Sequence, residues 1–183
     1  MNITLIRHGE VMFDSRHKIY GCTNVKLSKK GVLDCLKLKE EIKDKHYDIC
    51  FMSPLARCVE TAFLIVGDRV LTQTDDRLYE RDMGNFTGKE RSKYDASKYW
   101  DYNLNSTDEG VEAVQDIFKR CNEFLNDIKK KYKDKDVMVV SHESVIRALY
   151  CIINNVDLNG DLKEFDIPKF YMNEFKLWGD YYG

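Results

Sequence analysis

Apolar positions along the chain follow two rhythms. Three stretches are continuously apolar at strand length: "NITLI" near the start, "YDICFM" around residue 50 and "DVMVV" before residue 141. Runs of this kind fit strands buried on both faces. "RVLTQ" reads as a further strand. The other segments repeat every three to four residues, as an amphipathic helix does. Ser28 to about Asp44 is one, with Ser28 as N-cap and Val32, Leu33, Leu36 and Ile42 on one side. "SPLARCVETAFLIV" is a second, with Ser53 as N-cap and Pro54 in the first helical position. Thr107 to Tyr132 is a long third, and "SVIRALYCII" follows the "DVMVV" strand. The end, "EFDIPKFYMNEFKLW", alternates and predicts one or two strands, with Pro168 at an edge or turn.

Strands alternating with helices predict an α/β fold: a three-layer sandwich, a mostly parallel central sheet with helices on both faces. No repeat, linker or low-complexity tract interrupts residues 1–183, so one domain is expected. In such sheets ligands bind beyond the C-terminal ends of the strands. Polar residues with chemistry should therefore collect just after strands.

They do. Arg7, His8 and Gly9 follow the first strand, and Ser53 and Arg57 the second. Leu78, Tyr79 and Glu80 follow the third, and Ser141, His142 and Glu143 the fourth. Arginine forks match phosphate oxygens bidentately. Helix N-termini add N–H donors. A neutral imidazole can attack phosphorus, and a glutamate can protonate a leaving oxygen. Taken singly, each residue also fits a surface or structural role, and two histidines fit half of a metal site.

Composition narrows the class. A net charge of −2 over 183 residues gives no basic excess for nucleic acid or an anionic membrane. No apolar run reaches membrane-spanning length, and the start has no charged segment before a long apolar one. The six cysteines contain no CxxC pair, so reduced, buried thiols in a cytoplasmic protein are expected.

Five ordered segments resemble the histidine phosphatase superfamily, the phosphoglycerate-mutase-like proteins. "LIRHGE" is similar to the signature segment. "GCTNVKLSKKG", "SPLARCVETA", "LYERDMGNFTG" and "VVSHESVIRAL" resemble the family's later motifs, in the same order. The resemblance implies His8 as nucleophile through a phosphohistidine, and Arg7 and Arg57 as phosphoryl ligands. It implies His142 completing the pocket and Glu80 as general acid, then base. Asp14, Thr23 and Glu143 fall at phosphate-binding positions. No metal or organic cofactor is implied, and the partner would be a small phosphate ester.

The chain departs from the pattern at Asp14, where Asn is frequent, and at Glu143, where Gly is usual. Lys26 stands for proline and Asn24 for aspartate. With Glu10, the pocket mouth is expected to be more negative than in relatives. The glutamate either turns away or enters the pocket. The stretch from Glu80 to the long helix is short and has no proline, unlike the mutases, which favours hydrolysis. "KIYGCTN" resembles alpha-ribazole phosphatases. A mutase and a phosphate-binding module without turnover are the alternatives. Tyr94, Tyr99, Trp100 and Tyr102 either form a lid over a ring-bearing substrate or pack a short helix.

Overall fold

The computed structural model describes residues 1–12, 17–164 and 172–177. Five strands form one sheet: β1 (Asn2–Arg7), β2 (Ile49–Met52), β3 (Leu71–Thr74), β4 (Asp136–Ser141) and β5 (Met172–Lys176). Their order is β3-β2-β4-β1-β5. β1 lies parallel to β4, and β2 parallel to both β4 and β3. β5 closes the far edge antiparallel to β1. Of the C-terminal strand prediction, this segment lies within the described residues and Pro168 lies outside them.

The helices are α1 (Lys29–Glu41), α2 (Ala56–Val66), α3 (Ala96–Trp100), α4 (Val114–Lys131) and α5 (Glu143–Ile153). Strand side chains alternate between two cores, as the pleat requires. Ile3, Leu5, Ile49, Phe51, Val137 and Val139 pack with α4 and α5. Ile6, Cys50, Met52, Met138 and Val140 pack with α1 and α2 on the opposite face. That burial on both faces is why the strands are apolar without interruption. The described cysteines are free thiols, all buried except the half-buried Cys22. Among the described residues no helix is long and apolar enough to cross a membrane.

Two helix starts differ from expectation. Ser28 caps α1, accepting Gly31 N–H at 3.0 Å. Ser53 does not cap α2: Leu55 holds that position without a side-chain bond, and the helix begins at Ala56. Ser53 N–H bonds Val140 O at 3.1 Å, which keeps it with the sheet, and a residue before proline avoids the helical region. Asn24 Oδ1 accepts Ala56 N–H at 2.8 Å instead. α4 begins at Val114, seven residues later than the apolar period suggests. Glu109 and Gly110 have φ of 59° and 74°, outside the right-handed helix, although Val111 and Ala113 are buried.

Candidate active site

The C-terminal ends of β1, β2 and β4 meet where the chain order reverses, since β4 lies between β1 and β2. His8 N–H bonds Ser141 O at 3.0 Å, which extends the β1–β4 ladder by one residue. His8 and His142 are thereby set edge to face, ring centroids 5.2 Å apart. Both are buried.

His8 Nδ1 lies 2.7 Å from Gly9 O. A carbonyl only accepts, so Nδ1 carries the proton and, in the neutral ring, the lone pair lies on Nε2. Gly9 is needed for packing: a Cβ there would lie 3.1 Å from Gly31 O and 3.2 Å from Cys35 Sγ. Gly31 is tighter still, a Cβ falling 2.1 Å from Glu10 O. These two glycines let α1 press against the turn that holds His8.

Arg57, in the first turn of α2, is fully buried and held three ways. Nε donates to His142 Nδ1 at 3.1 Å, Nη1 to Thr23 O at 2.8 Å and Nη2 to Gly21 O at 2.9 Å. The guanidinium also lies over the Tyr20 ring, 5.0 Å from its centroid. With Nδ1 accepting, His142 Nε2–H donates to Ser53 Oγ at 2.7 Å. Burial, reinforced by the Arg57 charge, lowers the His142 pKa well below its ordinary value, so the ring is neutral. Thr23 acts through its carbonyl; its side chain is exposed.

Glu80 lines the same cleft as Arg7, Tyr20 and Glu143, a space of about 510 Å³. Ser141 Oγ donates to Leu78 O at 2.8 Å, which ties the Leu78–Glu80 segment to the end of β4. Glu80 Oε1 accepts Arg81 N–H at 2.9 Å.

Glu143, the first residue of α5, enters the cleft. Its Oε2 lies 2.6 Å from Arg7 Nη2, and its Oε1 accepts from Arg147 Nη2 at 3.2 Å. A carboxylate in a first helical turn is favoured by the helix dipole. Glu10, by contrast, leaves the mouth: its Oε1 accepts from Ser28 Oγ at 2.9 Å beside the start of α1. The extra negative charge therefore reduces to Glu143 among the described residues; Asp14 lies outside them. An anion approaching Arg7 would compete with the Glu143 carboxylate already paired there. Glu143→Gln is expected to tighten inhibition by inorganic phosphate about five- to thirtyfold, the weight of about 1–2 kcal/mol. That exceeds the usual worth of an exposed pair because Arg7 and Arg147 are both buried. An unchanged inhibition constant in steady-state kinetics would mean that Glu143 does not compete.

Three features were not legible beforehand. Ser53 supports His142 and does not cap a helix. Arg147 pairs with Glu143, although Glu-to-Arg spacing of four residues was the available signal. Arg81 is fully buried, with Arg147 beside it over the ring of Trp100. The aromatic segment divides. Tyr99 stacks on Tyr94 at 5.0 Å and Tyr102 packs edge-on to Phe118, while Tyr94 and Trp100 also line the cleft. Among the described residues no group of three or more His, Cys, Asp and Glu stands together as metal ligands.

Fold and site together define an α/β protein with two histidines and a buried arginine fork at the switch point of its sheet. The sequence pattern of the histidine phosphatase superfamily (branch 1) matches residues 3–180. Phosphoserine phosphatase 1 of Hydrogenobacter thermophilus is 28% identical over 166 residues, covering 87% of this chain and 79% of that protein. Phosphoglycerate mutase-like protein 4 of Arabidopsis thaliana is 32% identical over 158 residues, covering 81% and 69%. A solved structure of a phosphoserine phosphatase mutant from Entamoeba histolytica, in complex with phosphoserine, superposes with a TM-score of 0.83 at 23% identity, covering 96% of this chain and 90% of that one. The chain belongs to the histidine phosphatase superfamily, and it is a phosphoric monoester hydrolase of that superfamily.

Proposed function

We propose that the protein hydrolyses a small phosphorylated metabolite in two steps through His8. The observation that carries this is the His8 Nδ1–Gly9 O bond of 2.7 Å, which leaves the Nε2 lone pair as the nucleophile. Nε2 attacks phosphorus, the P–N bond forms and the ester P–O bond breaks. The leaving oxygen takes the Glu80 proton. Water then attacks phosphorus, gives its proton to Glu80 and breaks the P–N bond, restoring both residues. Arg7 and Arg57 bind the equatorial oxygens, whose charge several fixed donors stabilise. His142 orients Arg57 and completes the pocket beside His8. Thr23 contributes by placing Arg57.

The short connection supports hydrolysis over transfer between hydroxyls. Residues 81–113 hold only 3-10 turns and the five-residue α3 before α4. Release of inorganic phosphate is the test, from p-nitrophenyl phosphate and from sugar phosphates, nucleotides, phosphoglycerates and alpha-ribazole phosphate. Hydrolysis of at least one of these is expected. Interconversion of 3- and 2-phosphoglycerate with a bisphosphoglycerate primer, without phosphate release, would overturn the reading in favour of a mutase. Phosphate binding without any turnover would assign a sensing module.

A further inference from the structure

Glu80, the proton donor of the hydrolytic reading, sits on a stretch without regular structure: Tyr79 to Met83 belongs to no helix or strand. No hydrogen-bond ladder of its own fixes that backbone. A general acid has to meet the leaving oxygen at about 2.6–3.2 Å, and a misplacement of about 1 Å costs roughly a hundredfold in rate. The segment therefore has to be held from outside. Ser141 Oγ holds Leu78 O from the end of β4. Cys22 Sγ donates to Glu80 O at 3.1 Å, but a thiol is a weak donor.

A stronger hold comes from Glu112 and Arg120, neither of which lines the cleft. Glu112 lies just before α4 and Arg120 in its second turn. Their side chains pair through two bonds, Nε to Oε1 at 2.8 Å and Nη2 to Oε2 at 3.1 Å. Side-chain exposure of 18% and 20% keeps solvent from loosening the pair. The pair grips both flanks of Glu80. Ahead of it, Arg120 Nη1 donates to Arg77 O at 2.5 Å, a charge-assisted bond. Behind it, Glu112 O accepts from Arg81 Nε at 2.8 Å and Glu112 Oε2 accepts Asp82 N–H at 3.3 Å. Glu112 N–H donates to Asp82 O at 2.9 Å. The late start of α4 makes this possible. A helix running back through Glu112 would turn its N–H toward the carbonyl of residue 108 instead.

We propose that the Glu112–Arg120 pair is a positioning device for Glu80, which aims the proton donor at the leaving oxygen from outside the cleft. This rests on the hydrolytic reading and deepens it. Both are positioning residues, acting through the backbone on either side of Glu80. The guanidinium suits the task because its planar fork binds the carboxylate with one edge and still points Nη1 at Arg77 O. A pair that only stabilised the fold would, once broken, slow every ester alike. A pair that aims the proton donor matters most where the leaving group needs a proton.

The test compares phenyl phosphate with p-nitrophenyl phosphate. The two esters are close in shape, but phenolate is the poorer leaving group and gains from protonation. For both, kcat/KM reports the steps up to release of the phenol, so the later attack of water does not enter. Arg120→Met is expected to lower the phenyl-to-nitrophenyl ratio of kcat/KM about ten- to hundredfold relative to wild type. Glu112→Gln should lower it by a smaller factor, since the amide oxygen can still accept from Arg120 and Asp82 N–H. Arg120→Lys, which keeps the charge but one donor group instead of the fork, should fall between wild type and Arg120→Met. Because the readout is a ratio within one protein, partial loss of folded enzyme cancels. A ratio unchanged in Arg120→Met, whether both esters slow together or neither does, overturns the positioning role and leaves the hydrolytic reading standing. Wild-type turnover of neither ester nor of any other phosphomonoester brings down the hydrolytic reading itself.

Discussion

Replacing His8 with alanine is expected to lower phosphate release from p-nitrophenyl phosphate by at least about 10⁴-fold, with phosphate binding retained. The size follows from the position. A covalent route loses its first bond when the nucleophile goes, and water has no other residue through which to relay the phosphoryl group. Arg57 is held by Thr23 O, Gly21 O and His142 through bonds in which His8 takes no part, so the anion site should persist. Rapid quench of the wild-type enzyme with labelled substrate into alkaline denaturant checks the same point. Label should be acid-labile and base-stable, and should map to His8. Undiminished hydrolysis by His8→Ala would refute the covalent route.

Glu80→Gln is expected to slow turnover of alkyl phosphates by about 10²- to 10⁴-fold. The amide keeps the shape and the acceptor for Arg81 N–H, whose bond to Glu80 Oε1 is 2.9 Å. It cannot deliver or take a proton. Both steps need that proton, but unequally across substrates. p-Nitrophenolate leaves without protonation, so the first step should survive while hydrolysis of the phosphohistidine slows. The variant should therefore give a burst of nitrophenol close to one per active site, then slow release of phosphate. Equal slowing of alkyl and nitrophenyl esters with no burst would take Glu80 out of the acid–base role.

Most of the architecture was readable because the strands are buried on both faces. Continuous apolar runs at β1, β2 and β4 carry that fact openly. Placing Arg7, His8, Arg57, Glu80 and His142 at one sheet edge then followed from the rule about strand ends. The misplaced start of α4 has a physical cause. Val111 and Val114 are both buried, so the apolar period runs on through a stretch whose φ angles are not helical. Ser53 departs from the local pattern for a related reason: the Ser–Pro pair is a local cap signal, and a tertiary bond to His142 outweighs it. The direction of Glu143 depends on Arg7, on a neighbouring strand that is remote in sequence, which no local pattern encodes. The hold of Glu112 and Arg120 on both flanks of Glu80 became visible only once that segment was placed against the start of α4.

The two arginines proposed to hold the phosphoryl group meet a ligand on unlike terms. Arg57 offers a guanidinium already immobilised by three bonds, so docking against its remaining N–H groups freezes little further motion. Arg7 begins in partnership with Glu143, so a phosphoryl oxygen arriving there replaces one anion with another. Such an exchange leaves the count of opposite-charge contacts at Arg7 unchanged. Added salt screens the departing and the arriving partner alike. The affinity of this site for phosphate should therefore respond to ionic strength more weakly than its crowd of positive charges would imply.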